Sequence, residues 1–350
     1  MEGLEKLWAF FWREEVWLPR NATWEEMKSG PGRAMPEFQH LLYVLPISVS
    51  FLLFRVFLEV YGVDLLAKAM VPMLAPAPVK LKVERHINGG SPSAGGKWMQ
   101  TNEKDRTALE KAQLKYRKIK ETMFRLVTYS FLFLYGAWTM ADKPWLRDTH
   151  LCFVDLPFHT LTEDVWWYYM LELGFYICLF LSLPFDAKRK DFLAQTTHHV
   201  VTISLLVGSW TVGATRVGSL VLLVHDCAHV FLQLAKLLIY CKQPDATVRK
   251  VFLLFCVAWI FPRLIYYPFY VTIPATRGLL GWDRARHGDC FISHALVVLL
   301  WSLLGLHIYW TYLIFRIIYN TAVHKKDIND NRTDDEDSDG DPKANDKKSK

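Results

Sequence analysis

Five side chains able to exchange protons or attack a carbonyl, His198, His199, His225, Asp226 and His229, lie in two apolar runs joined by a short turn. An ionised group at the centre of a bilayer costs roughly 2.5 to 3.5 kcal/mol, so their joint presence within residues 188–240 calls for a chemical reason. His198 and His199 are adjacent and point about 100° apart on a helix, which suits them to different tasks. His225 and His229 are one turn apart on a common face, Gln233 lies a further turn along it, and Asp226 sits beside them. Antiparallel packing across the connection 211–216 would bring imidazoles and a carboxylate into one cavity. A histidine needs a hydrogen bond to fix its tautomer, and Asp226 is the expected supplier, producing a general base or an activated nucleophile. That chemistry fits acyl transfer. Taken singly, each of these residues could be a hydrogen-bonding contact between helices, but five together argue for a site. His225 and His229 also form an HxxxH box of the kind used by di-iron hydroxylases. Such enzymes need several boxes, and Gln195 stands where a further histidine would precede His198, so no metal site is expected.

The elements that must hold these residues are membrane spans. With 52% hydrophobic and 15% aromatic residues over 350 positions, the chain is more apolar than an average soluble protein. The expected fold class is all-α, a polytopic membrane bundle of about seven transmembrane helices, near residues 40–60, 122–140, 166–184, 193–210, 217–239, 250–272 and 291–318. An odd number of spans puts the termini on opposite sides. Segments 63–121, 185–192, 241–250 and 319–350 carry about 25 Lys and Arg against about 11 on the other side, so these segments are expected in the cytosol and the N-terminus in a lumen. The start has no short apolar core with a cleavage site, so no cleaved signal peptide is expected. The expected organisation is a lumenal segment 1–37, a first span 38–62, a basic cytosolic loop 63–121, the main helical domain 122–320 and a polar tail 321–350.

Residues 4–17 place Leu4, Leu7, Trp8 and Phe11 at helical spacing, suited to a short helix at a membrane interface. Asn21 begins a glycosylation sequon that this topology would expose to the lumen. Cys152 and Cys290 fall in lumenal loops, where a disulfide is possible; none of the six cysteines forms a CxxC pair. The charged helix expected over 102–121 is read as solvated or headgroup-facing, with basic charge able to attract the phosphates of an anionic cofactor. Ser338 lies in the acidic run DDEDSDGD, a candidate phosphorylation site, and Lys347-Lys348-Ser349-Lys350 has the dilysine spacing of a retrieval signal. Arg55 and Glu59, four apart, are expected to pair. Glu172, Arg263, His307 and Arg316 are assigned to helix packing or headgroup contacts, and Trp166-Trp167-Tyr168-Tyr169 to an interface belt.

The sequence resembles the ceramide synthases, membrane N-acyltransferases built on a TLC domain. The resemblance runs through FFWREEVWLPRNATW, DKPW at 142–145, YYMLELGFY at 168–176, KRKDF, HHVVTISLL, RVGSLVLLVHD, PRLIYYPF at 262–269 and LHIYWTYLIFR at 306–316. It implies condensation of a fatty acyl-CoA with a sphingoid base in the endoplasmic reticulum membrane, with acyl-CoA as co-substrate and no other cofactor. It implies membrane lipids and other ceramide synthases, as homo- or heterodimer, as partners. It further implies that His198, His199 and Asp226 are catalytic, with acyl-length selection near 273–289. The family motif HDxxDxxLE reads HDCAHVFLQ here, with His229 and Gln233 where acids are usual. His229 could act as a substitute hydrogen-bond partner. The second expectation set by this departure is a catalytically impaired paralogue that binds lipid or regulates an active synthase. The homeobox-like segment of many animal members would fall before the second span, where one helix is expected and no three-helix core, so nucleic-acid binding is not expected.

Overall fold

The computed structural model describes residues 2–19, 22–62, 103–187, 190–280 and 290–324. Asn21, Ser338, the dilysine tail and the loops 63–102 and 281–289 lie outside the described residues. Among the described residues the chain is helical, with one isolated β-bridge between Gly30 and Arg33.

A short helix α1 (Glu2–Phe11) precedes seven long ones. These are α2 (Val44–Phe57, extended through Leu58–Gly62), α3 (Glu103–Met140), α4 (Glu163–Ser182), α5 (Phe192–Thr211), α6 (Thr215–Tyr240), α7 (Asp245–Ile260) and α8 (Phe291–His324). Each apolar run expected from the sequence forms helix. Four helical stretches are long and apolar enough to cross a membrane, namely Phe38–Gly62, Glu163–Phe185, Thr215–Tyr240 and Phe291–Thr321. The expected count of seven is thus met by four on length and composition. The physical reason is visible in α5, whose first two turns contain Gln195, Thr196, Thr197, His198 and His199, so that its inward polarity cancels its apolar face.

The core helix is α6, which packs on α3, α4, α5 and α7. It follows α5 after a three-residue reversal, 212–214, shorter than the connection expected. Gly213 adopts φ +72°, a left-handed conformation that costs glycine little. Beyond Ile260, α7 continues as wide turns over Phe261–Thr272, where Pro262 and Pro268 cannot donate to the ordinary helical ladder, and then as Ile273–Leu280.

One end of the bundle is capped by the N-terminal segment. Trp17, Leu18, Met27 and Met35 are buried there against Leu156, Val212 and Ala214, and Trp210 Nε1–H donates to the Glu37 carbonyl at 2.9 Å. At the opposite end Asp186, just after α4, accepts from Arg55 of α2 at 2.6 Å and from Arg125 of α3. Arg55 also makes the expected pair with Glu59, at 2.8 Å. The outer face of α2 shows why composition and burial diverge: Leu45, Val49, Leu53 and Val60 are exposed on a helix apolar enough for lipid.

Two sequence expectations are corrected here. Tyr168 and Tyr169 are fully buried and do not join an interface belt; Tyr169 meets the Ser209 hydroxyl at 3.1 Å. Cys152 and Cys290 are free thiols. Cys152 packs among Met140, Trp145 and Leu161, where burial pushes its thiol up to about 12, whereas Cys290 Sγ contacts the Ser293 hydroxyl at 2.9 Å.

Candidate intramembrane active site

The adjacent histidines of α5 are both about 3% exposed, with ring centres 5.6 Å apart. The Gln195 amide, one turn earlier, stands 3.2 Å from His199 Nε2. Across from them is α4, whose Tyr176 ring lies 6.2 Å from His198 and 6.0 Å from His199. Trp310 of α8 meets His198 edge-on at 5.4 Å and is itself held by Asp191, to which its Nε1–H donates at 3.1 Å. His198 Nδ1 has no hydrogen-bond partner.

On α6 the two histidines share a face but face different neighbours. His225 Nδ1 approaches the Val221 carbonyl at 2.5 Å; a carbonyl only accepts, so this nitrogen carries the hydrogen. Its Nε2 must then accept, and the donor is His307 Nε2 of α8 at 2.8 Å. One turn on, His229 Nε2 lies 3.0 Å from Arg263 Nη2, which also donates to the His225 carbonyl at 2.8 Å. A guanidinium cannot accept, so His229 Nε2 is an acceptor and its hydrogen sits on Nδ1. The ring stacks on Tyr129 of α3 at 4.4 Å and 16°, while the Arg263 guanidinium lies 4.0 Å over the Trp259 ring.

Asp226 points elsewhere. Consecutive helical residues diverge by about 100°, so with His225 toward α8 the carboxylate turns to α4. Its polar neighbours are Glu172 and Tyr168, and neither carboxylate oxygen finds a donor at hydrogen-bonding geometry. The expectation that Asp226 orients a histidine is therefore not met by any hydrogen bond in the structure. The second buried carboxyl is Glu172, placed on α4 with Tyr168 and Tyr176 at spacings of four, on one face.

Two pockets open on this arrangement. One is polar, lined by Arg125, Tyr129, Gln195, His199, His229, Gln233 and Arg263. The other is an apolar chamber extending toward the capped end, past Thr202, Leu205, Val221, Leu296 and Leu300. His198 lines both. The structure thus brings His198, His199 and His229 to one polar pocket and sets His225 on the wall of the chamber, with Asp226 behind them.

Sequence reasoning placed Arg263 and His307 in helix packing, yet they supply the donors that fix His229 and His225. Glu172, given the same assignment, meets Asp226. The four-residue spacing of Tyr168, Glu172 and Tyr176 was a usable signal for an inward polar face. Arg316 is exposed, in keeping with a headgroup contact. Among the described residues, no three His, Cys, Asp or Glu side chains gather at metal-ligand spacing.

This is a multi-pass helical membrane protein with a cluster of buried histidines inside the bundle. A TLC-domain family model matches residues 118–316. Ceramide synthase hyl-1 of Caenorhabditis elegans is 34% identical over 90% of this chain and 81% of its own length. Human ceramide synthase 4 is 31% identical over 96% of this chain and 88% of its own, and human ceramide synthase 3 is 31% identical over 94% and 89%. The chain belongs to the ceramide synthase family of TLC-domain proteins.

Proposed function

We propose that the protein is a ceramide synthase, joining the acyl group of a fatty acyl-CoA to the amine of a sphingoid base to give ceramide or dihydroceramide and free CoA. The observation that carries this reading is the place of His198, the residue common to an apolar chamber and a polar pocket. An acyl-CoA has the same division, an apolar tail and a polar, anionic head meeting at the thioester. With the tail in the chamber and the head in the polar pocket, the thioester carbon comes to His198. The amine nitrogen bonds to that carbon, the carbon–sulfur bond breaks, and the proton lost by the amine leaves on the CoA thiol. His198 relays either the proton or the acyl group, with His199 beside it. An acyl-enzyme trapped when amine is withheld distinguishes the second route.

The remaining residues have supporting roles in this proposal. Arg263 holds His229 and the His225 backbone, so the change from the usual acid at 229 leaves a hydrogen-bonded position. That observation favours an active enzyme over an impaired paralogue. Asp226, with Glu172, contributes acidic groups beside the histidines. We place the capped end in the lumen of the endoplasmic reticulum and the polar pocket toward the cytosol, where soluble acyl-CoA and the basic start of α3 would meet. Asn21 is proposed as a lumenal glycosylation site and Ser338 as a cytosolic phosphorylation site. Association with another ceramide synthase as a homo- or heterodimer also remains within the proposal.

The test is expression in cells lacking endogenous ceramide synthases, supplied with sphinganine and acyl-CoAs. Product from the native chain and none from His198→Ala or His199→Ala, at equal protein level, supports the assignment. Unchanged turnover in both variants overturns it.

A further inference from the structure

The apolar chamber runs from the histidines toward the capped end. Along α5 its wall runs from His198 to Ser209, about 16 Å at 1.5 Å per residue. Toward the capped end it is lined by Phe153 and Leu156, from the connection between α3 and α4, and by Leu279 beyond α7. Phe153 is the large ring at this end. It packs against both of the major apolar clusters of the bundle, one centred on α4 and the other on the capped end.

The ring is also seated from behind. A Cβ built on Gly278 would stand 3.0 Å from Phe153 Cδ1 and 3.2 Å from Cγ, closer than an ordinary carbon contact. Gly278 therefore allows the helix backbone to approach the ring, and any side chain there must push the ring or be pushed. Apolar pockets discriminate by length because a chain too long for the floor must leave a methylene outside or displace well-packed atoms.

We propose that Phe153, backed by Gly278, is the floor of the acyl chamber and sets the longest acyl chain that the protein accepts. The inference rests on the ceramide synthase reading and adds Phe153, a specificity determinant outside 273–289. It assigns the shape of the floor to a residue on the opposite connection, with Gly278 linking the two segments.

The experiment uses full-length protein in membranes from cells lacking endogenous ceramide synthases, with sphinganine and an equimolar mixture of acyl-CoAs of graded length. The measurement is the distribution of product lengths, normalised to total product. Phe153→Ala is expected to raise the ratio of the next longer product to the native one by about tenfold, the discrimination typical of one methylene in an apolar pocket. Phe153→Trp and Gly278→Ala are expected to shift the distribution toward shorter chains. A native distribution from all three variants, with product still formed, overturns the assignment of the floor while leaving the synthase reading intact. Absence of product from the native chain with every acyl-CoA overturns the synthase reading and this inference with it. Should Phe153→Ala fail to accumulate, the other two substitutions carry the same decision.

Discussion

The polar pocket and the apolar chamber share His198 but are held together by different physics. In the pocket, Arg263 is fixed by directional contacts, donating to the His225 carbonyl and to His229 while stacking over Trp259. In the chamber, Leu205, Leu296 and Leu300 are shaped by close packing alone. A directional site tolerates few substitutions because a buried donor left without an acceptor costs its full desolvation. A packed chamber tolerates many, and changes what fits before it changes whether anything reacts. The difference implies that activity depends mainly on the pocket and selectivity on the chamber.

The strongest way to break this comparison is at the shared residue. His198→Ala is expected to lower product formation by a factor of about 100 or more, the scale of a lost proton- or group-transfer residue. The measurement is initial rate in membranes with protein level matched by immunoblot. A loss below about tenfold would move the chemistry away from the junction.

A second substitution tests the directional region alone. His229→Leu removes the acceptor facing Arg263 Nη2 and is expected to cost about 1 to 3 kcal/mol, seen as roughly a tenfold fall in activity and a lower melting temperature in detergent. His229→Asp restores an acceptor for the same guanidinium and is expected to stay within about tenfold of the native rate. Complete loss in His229→Asp would instead show that the imidazole itself takes part in the reaction.

The chamber is probed by filling it. Leu205→Trp is expected to reduce use of long acyl-CoAs by about tenfold while shorter ones lose less. Equal loss at every length would mean that the packed region also positions the reacting atoms. The smallest effect belongs to Ser209→Ala, which removes the buried contact to the Tyr169 hydroxyl at 3.1 Å. About 1 kcal/mol of stability should be lost, measured by thermal unfolding.

Much of the site was legible because polar residues are conspicuous in apolar runs. His198 and His199 stand out for that reason, and their burial follows from the helix that carries them. Arg263 and His307 were equally visible, but each lies on a different span from the five residues of 188–240. Their significance depends on α7 and α8 packing around α6, which no local pattern records. Length and composition mark four of the seven expected spans: α5 is polar enough along its first two turns that composition does not mark it as spanning, although it lies inside the bundle.

Asp226 shows where reading along the chain stops. Its neighbour His225 suggested a shared cavity, yet the 100° step between them sends one to His307 and the other to Glu172. The sequence by itself determined an all-helical membrane protein with paired histidines within it, because the cost of placing polar groups among apolar ones is local and can be read residue by residue. Only the tertiary structure decided which of those groups meet. The rotation of each helix about its axis and the order in which helices pack determine the partners, and both are set by contacts between residues far apart in the chain.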